Sequence, residues 1–582
     1  MKIPPKKNHL KQTTPTMNKT QGFTAMKYLI LSGLLTGISL QVNGQNTGSG
    51  QTGKIGNEDV TIIKDYQPVL NDAFKINIQP GQDTSLGIRT GKLTYNLDAY
   101  PLNTAFTSSP IKPVRLKDDA IKKLYRGWVK AGYGLENMPL IDASYNSLRS
   151  KDFDAGIGIK HLSATGKIKD FGFPGNGQTS ANAFGTRYFG KFSLGARIGY
   201  EHNMVHYYGF RNPPERFSKA ETRHSMDDIN GSISLASNGS DKDNWQHHSK
   251  IDFYSFSDNI GNDENNLNIG TALSKGLTNA IFRLEASADL GRIVQNDLQA
   301  ERNIIRFQPS FVIQKELLTM EIGGRAVMES NKGESDYHLY PHLRADYSII
   351  KDALRVYAGI SGNLKRNDLR GFSTTNPFFG ENVPLNNTNQ TLDLSAGTII
   401  KLDRDLIFKG EFSRTSMRNA AFFYNLYNSD FPVTFSAKYD DVTLLNGKAS
   451  IEFRRNEKAS VALQAEYNHY NMDELSRPFY IPAFRAGING HYDIGEKILV
   501  KADIFFNSGV TGIAYTKKDS TITASNTELK GWVDMNIGVD YRYSKVLSAW
   551  ASLNNLGFSR YFRWYEYPSY RFIGMMGVTY SF

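Results

Sequence analysis

Read with a period of two, the last thirteen residues, Tyr570 to Phe582, separate into two faces. Tyr570, Phe572, Gly574, Met576, Val578, Tyr580 and Phe582 form one that is apolar and ends in aromatics, while Arg571, Ile573, Met575, Gly577, Thr579 and Ser581 form a mixed one. The same alternation recurs upstream. Phe282, Leu284, Ala286, Ala288 and Leu290 interleave with Arg283, Glu285, Ser287 and Asp289. Val461, Leu463, Ala465 and Tyr467 interleave with polar neighbours, as do Val533, Met535, Ile537, Val539 and Tyr541. A soluble sandwich also alternates, so the connections must discriminate. Short turns are expected near Arg149, Gly190, Gly239, Gly276, Glu316, Lys351, Arg404, Asn456, Gly495 and Lys545. Longer excursions lie between them, at 165–179, 210–226, 367–388, 417–438, 472–482, 508–528 and 557–569. Strict exchange of short and long connections is what a membrane barrel shows when its turns line one rim and its loops the other. From Arg126 onward the walk gives an all-β, transmembrane antiparallel barrel of roughly 22 strands, closed by pairing 570–582 with 127–135 so that no edge is left in hydrocarbon. Pro309 and Pro341 fall inside strand candidates, where bulges are the expected accommodation.

Composition agrees with strands and excludes spanning helices. Mean hydropathy is −0.43, and beyond the N-terminus no apolar run approaches the roughly 20 residues a spanning helix needs. The chain carries 31 Tyr, 34 Phe and 51 Gly, with 21% charged residues, which suits strands with aromatic girdles and a hydrated interior. Residues 1–44 hold six lysines (Lys2, Lys6, Lys7, Lys11, Lys19, Lys27), no acid, and an apolar core from Tyr28 to Leu40 before Val42-Asn43-Gly44. That arrangement reads as a secretory signal cut before Gln45. Six lysines removed from the formal +11 leave +5, so nucleic-acid binding loses its support. With 0 Cys the chain has no lipid-anchor cysteine, disulfide, thiolate metal site or cysteine nucleophile.

Residues 45–125 read as an extended periplasmic segment, with Pro80, Pro101, Pro110 and Pro113 discouraging helix. The stretch Asp59-Val60-Thr61-Ile62-Ile63 is a short strand candidate. Aromatics gather beside the long excursions: Tyr207, Tyr208 and Phe210; Phe422, Phe423, Tyr424 and Tyr427; Tyr561, Phe562, Trp564, Tyr565 and Tyr567. They fit an outer interfacial girdle with Arg560 and Arg563 near lipid phosphates, or alternatively a carbohydrate-stacking platform. Lys130, Arg283, Glu285, Asp289, Arg306, Arg344, Asp346, Lys501 and Asp503 are expected on the lumen face, mixing both signs as a hydrated, cross-paired interior.

The segments LYRGWVKAGYG (124–134), NSLRSKDFDAGIGIKHLSATGKIKD (146–170), VHYYGF (205–210) and DYQPVLNDAFKINIQP (65–80) resemble the exported TonB-dependent-receptor-like barrels of Bacteroidota. The likeness covers about residues 60–210. It implies an outer-membrane importer of 22 strands with an N-terminal plug and a TonB-like energy-coupling partner that adds to a short strand such as 59–63. The departure is the plug, since 45–124 is about half of what a full plug domain needs. Tyr580 and Phe582 resemble the C-terminal signal read by the barrel-insertion machinery.

No GxSxG elbow, HExxH, P-loop or GxGxxG-plus-acid pattern occurs, so no catalytic residue, cofactor or metal is expected. His202 and His206 share a strand face and His247 and His248 are adjacent, but neither pair has acids spaced to complete a metal site. Two functions remain open: solute uptake or permeation, and a non-transporting barrel that anchors an envelope complex through residues 45–124.

Overall fold

The computed structural model describes residues 124–582, apart from 212–215, 240–243, 297, 332, 428–430, 457 and 519–520. The signal sequence, the segment to Lys123 and the Asp59–Ile63 strand candidate lie outside the described residues. The described chain is a closed 22-stranded antiparallel sheet. Successive strands pair with one another all the way round, and the first, Gly127–Gly134, pairs with the last, Ile573–Ser581. Val129 faces Tyr580, Ala131 faces Val578 and Tyr133 faces Met576, the pairing expected of the terminal stretch. Backbone bonds extend the seam beyond the strands, with Gly127 N donating to Phe582 O (3.1 Å), Phe582 N to Gly127 O (2.9 Å) and Leu135 N to Gly574 O (2.8 Å). Closure pairs the strand backbone within the wall, the condition for crossing hydrocarbon with strands.

The period-two pattern fixes which face meets lipid. On the last strand Met576, Val578, Tyr580 and Phe582 are about half or more exposed, whereas Gly577, Thr579 and Ser581 turn inward. Val461 to Tyr467 and Val533 to Tyr541 largely keep the same alternation. On the inner face of the seam a row runs Trp550, Gly577, Gly132 across three strands. Buried Trp550 lies over both glycines, and a Cβ on Gly577 would strike the Ala131 carbonyl, so the ring fits only because those positions lack side chains. Lys130 places its ammonium 4.2 Å above the Trp550 ring centroid, an inward cation–π contact at the closing seam.

All ten turns on the rim that carries Arg126 and Phe582 fall where the sequence put them, from 147–152 to 543–546. Short and long connections do not strictly exchange, however. On the opposite rim the connections 135–137, 259–261, 296–297 and 332–333 are as tight as any turn. The span 417–438 is mostly strand rather than loop, because Leu406–Leu426 and Thr434–Arg455 run 21 and 22 residues, about twice what a tilted strand needs to cross a membrane.

Neither proline sits in a bulge. The pairing of Leu298–Gln314 with Leu318–Asn331 keeps one register on both sides of Pro309 and merely skips Gln308 and Pro309. Pro341 lies where Glu334–Ile350 has lost its neighbour: Leu354–Lys365 pairs with it only as far as Ile360 opposite Leu343. A missing N–H costs little where no acceptor waits on that side. From there Leu354–Lys365 leans over the lumen, and Leu364 packs with Ile304, Val327 and Tyr340.

The seam makes the face assignment testable. Val578→Arg puts a charge on the lipid face and should destabilise the barrel by up to about 2–4 kcal/mol, whereas Thr579→Arg, facing water beside Lys130, should be far milder. Heat-modifiable migration of membrane fractions reads the difference, and equal tolerance at the two positions would contradict the lipid and lumen faces.

Candidate functional site

The rim opposite Arg126 and Phe582 carries the long loops, so by the usual asymmetry it is the extracellular one. Its most consequential connection is 366–387, which turns inward. Asp368 caps the short helix Leu369–Thr375 by accepting from Gly371 N at 2.6 Å. Leu369 and Phe372, three residues apart, share one side of that helix and are buried. They pack against Met226, Phe256 and Ile293 of the wall and against Phe379, Val383 and Ala437. Burying two such side chains contributes about 3–6 kcal/mol to holding the segment inside the barrel.

Charged groups from the wall meet the same segment. Glu264, fully buried, accepts from Leu369 N at 2.8 Å and pairs with Arg366 at 3.2 Å. Its carboxylate therefore satisfies an orphan donor of the helix start and balances a cation at once. Arg366 reaches Asp289 as well, at 3.0 Å, and Arg370 pairs with Asp228 at 2.7 Å. Arg302 donates to Asn367 O at 2.6 Å, and just ahead of the segment, on Leu354–Lys365, Leu364 O accepts from Arg306 at 3.2 Å and Gly362 O from Arg325 at 2.8 Å. Farther along, Tyr207 donates to Phe379 O at 2.6 Å, while His224 lies 2.9 Å from Pro377 O and 3.2 Å from Asp258. Phe435 N donates to Phe378 O and Gly380 N to Phe435 O, so the segment also gains a one-bridge strand contact.

Above this lies an aromatic layer. Phe435, Trp564 and Tyr567 are buried together, with Tyr208, Phe378, Phe423 and Tyr480 against them. Phe378 stacks on Tyr567 at 4.0 Å and Phe435 meets Trp564 at 5.2 Å. Burial pushes the Tyr208, Tyr480 and Tyr567 hydroxyls far above the usual phenol range, so they stay neutral and act as donors. They donate to Pro568 O, Asn425 Oδ1 and Val433 O. These aromatics are therefore neither a lipid girdle nor an exposed stacking platform. Tyr207, Trp564 and Tyr567 are all under a tenth exposed and form the interior of a lid, and Phe422 is buried in a separate cluster with Ala420 and Val442. Arg560 is likewise turned to protein, donating to Lys169 O at 3.4 Å.

The charges expected on the lumen face do not gather into one site. Asp289 and Arg306 belong to the cluster around Arg366, 3.7 Å apart. Glu285 lines an inner groove of about 580 Å³ beside Arg306, Arg325 and Arg366. Arg283 pairs with Glu321 at 3.3 Å, Arg344 with its strand neighbour Asp346 at 2.8 Å, and Lys501 with Asp540 at 3.3 Å. Asp503 sits opposite Asn489 and Asn536. Missed from the sequence were Glu264, Asp228, Arg302, Arg366 and Arg370. A helix start was nonetheless visible there, since Asp368 followed by an apolar pair at 369 and 372 is an N-cap signature. Of the histidines, His202 bonds Asp227 and His206 bonds Thr222, while His247 stacks on Phe192.

No family model and no curated protein matches the sequence. Solved structures match in shape. The FrpB iron transporter from Neisseria meningitidis (F3-3 variant) superposes with a TM-score of 0.60 at 10% identity, covering 79% of this chain and 82% of that one. The fold is that of the TonB-dependent-receptor-like outer-membrane barrels. The pyoverdine outer membrane receptor FpvA from Pseudomonas aeruginosa PAO1 matches equally, with a TM-score of 0.60 at 12% identity over 79% of this chain and 78% of that one. So does the siderophore receptor PirA from Acinetobacter baumannii, at 0.60 and 9% identity over 79% and 81%. The resemblance drawn from residues 60–210 thus holds at the level of fold.

The buried pairs predict how the lid responds to mutation. Arg366→Ala leaves buried Glu264 without its cation and should weaken the lid by about 3–5 kcal/mol, while Glu264→Gln, which leaves Arg366 its contact with Asp289, should weaken it less. Hydrogen exchange read over residues 369–380 should accelerate roughly a hundredfold or more while the wall keeps its protection. Unchanged exchange there would mean that the cluster does not hold the segment.

Proposed function

We propose that the protein is an outer-membrane barrel for uptake of a specific solute, with 366–387 as its gate. The observation that carries this reading is the inward segment itself, which crosses the outer mouth of a 22-strand lumen and is bonded to the wall from several sides. A general porin leaves its lumen open, whereas a mouth closed by a capped helix and an aromatic layer needs a ligand or work to open it. The structural neighbours, an iron transporter, a pyoverdine receptor and a siderophore receptor, support the same direction. Residues 1–44 would be the export signal, 45–125 a periplasmic segment and 126–582 the membrane barrel.

Energy coupling is part of the proposal. Residues 59–63 would add as a strand to a TonB-like periplasmic protein, as the family resemblance implies. A photo-crosslinker at Ile62 should capture that protein in cells. Reproducible capture of a different periplasmic protein in its place would favour an anchoring role over import.

Planar-bilayer recording tests the gate. The full chain should be nearly silent, and a variant lacking 368–380 should conduct in large, stable steps. If neither conducts, the barrel is not a solute path and the uptake reading fails.

A further inference from the structure

The outer wall carries a groove that the lumen and its gate do not use. Its volume is about 1020 Å³, the upper end of the range for small-molecule sites. It crosses the strands from Met138–Asn146 to Gln246–Asp258 and ends at the turn 147–152, on the rim that carries Arg126 and Phe582. The register puts it on the lipid face: the row of Tyr580 runs through Val129 and Ala143 to Ile159, and Phe153, Ala155 and Ile157 share that side. Its floor is low because Ala155, Gly185 and Ala196 stand abreast on three strands. Phe153, Ile157, Ile198, Ile233 and Phe253 stand around it, each about half exposed. From Phe153 to Ile157 the strand climbs about 13 Å, roughly half of an apolar band about 25 Å tall. The groove therefore spans one leaflet, the periplasmic one.

At its periplasmic end the groove turns cationic. Arg126 and Arg149 line it, none of the described lining residues is an acid, and neither guanidinium has a hydrogen-bond or ion-pair partner among the described residues. The carboxylate of Phe582 accepts from backbone instead, from Arg126 N at 2.8 Å and Gly127 N at 3.1 Å. Arg187, opposite Phe153, adds a third cation on the same face, while Lys151 and Asp152 of the turn offset each other. Ser150 Oγ accepts from Asp152 N at 3.1 Å and Phe153 N at 3.3 Å, which leaves its own proton to donate. Guanidinium and hydroxyl donors at the foot of an apolar groove match a phosphate carried on hydrocarbon. We infer that the groove seats one anionic glycerophospholipid of the periplasmic leaflet, with acyl chain over Ala155, Gly185 and Ala196 and phosphate at Arg126 and Arg149. A headgroup with its own ammonium, as in phosphatidylcholine, would bring that cation among the arginines. The inference needs the membrane barrel alone and holds whatever passes through the lumen.

Native mass spectrometry of the full chain in detergent, offered phosphatidylglycerol and phosphatidylcholine of the same acyl chains in equal amounts, reads the preference directly. One phosphatidylglycerol should be retained roughly thirtyfold in preference, at about fivefold for each of two arginines beside an anionic headgroup. Arg126→Gln/Arg149→Gln should bring the two lipids close to parity. Arg404→Gln/Arg455→Gln, which removes two cations beside turns elsewhere on the same rim, should leave the preference intact. Gly185→Leu fills the floor without strain, since a Cβ there meets nothing within 4 Å, and should lower retention of phosphatidylglycerol about tenfold with every charge unchanged. Heat-modifiable migration shows that each variant is folded, and the wild-type preference is decisive by itself. Equal retention of the two lipids by the wild type, a preference kept without Arg126 and Arg149 or lost equally without Arg404 and Arg455, or retention untouched by Gly185→Leu would each overturn the inference. So would a stable dimer that Gly185→Leu disrupts, which would give the groove to a second copy of the chain.

Discussion

A strand that crosses hydrocarbon cannot leave a backbone N–H or C=O without a partner, and everything else in this structure depends on that rule. It forces the sheet to close, so Gly127–Gly134 must meet Ile573–Ser581 across more than 400 residues of chain. It forces every strand to present one face to lipid and the other to water, which is why apolar and polar residues alternate from Arg126 to Phe582. Where the chain departs from the wall, at the upper end of Leu354–Lys365, the departure coincides with a proline on the abandoned neighbour. The rule also confines freedom. With the wall fixed by backbone pairing, function is left to side chains on the inner face and to the connections on one rim.

The inner face uses that freedom unevenly. Around most of the lumen, charges pair with a neighbour on the same or an adjacent strand, as Arg344 does with Asp346 and Lys501 with Asp540. Such exposed pairs contribute little to stability and serve to keep the lumen hydrated. Beneath the gate the acids are buried and meet partners from distant parts of the chain, Glu264 with buried Arg366 and Asp228 with partly exposed Arg370. Here the desolvation of each ion roughly cancels its attraction, so the cluster adds little net stability. What it does add is position, because only one placement of 366–387 satisfies Glu264, Asp289 and Asp228 together.

This division explains what could be read from the sequence. The two faces, the ten tight turns and the seam were legible, because each follows from local alternation or from turn residues within a few positions. The partners of the charged residues were not. Glu264 and Arg366 are 102 positions apart, and no periodicity relates a strand residue to a loop that folds back on it. The aromatics were misplaced for a related reason. Tyr207, Trp564 and Tyr567 lie beside loops, where girdles lie, and only the pairing of Phe378 and Gly380 with Phe435 reveals that the loops close over them. The prolines misled because a bulge is the ordinary remedy within a strand, whereas at Pro309 the ladder skips two residues in unchanged register and at Pro341 the partner strand has left.

The two supports of the gate also differ in how they yield. On the charged side, water entering from the lumen can rehydrate Arg366, Arg370 and their acids, so the energy lost on separation is largely recovered. On the seam side, Phe378, Phe435, Trp564 and Tyr567 would expose apolar surface that water does not compensate. A movement that first releases the helix Leu369–Thr375 from Glu264, Asp228 and Asp289, while the aromatic layer stays packed, is therefore the cheaper path. That order makes the stretch around Phe378 and Gly380, bonded to Phe435, the hinge, and leaves the helix to swing as the part that opens. Access to the lumen would then be limited by burial of Leu369 and Phe372 among Met226, Phe256 and Ile293, the contact that water cannot replace.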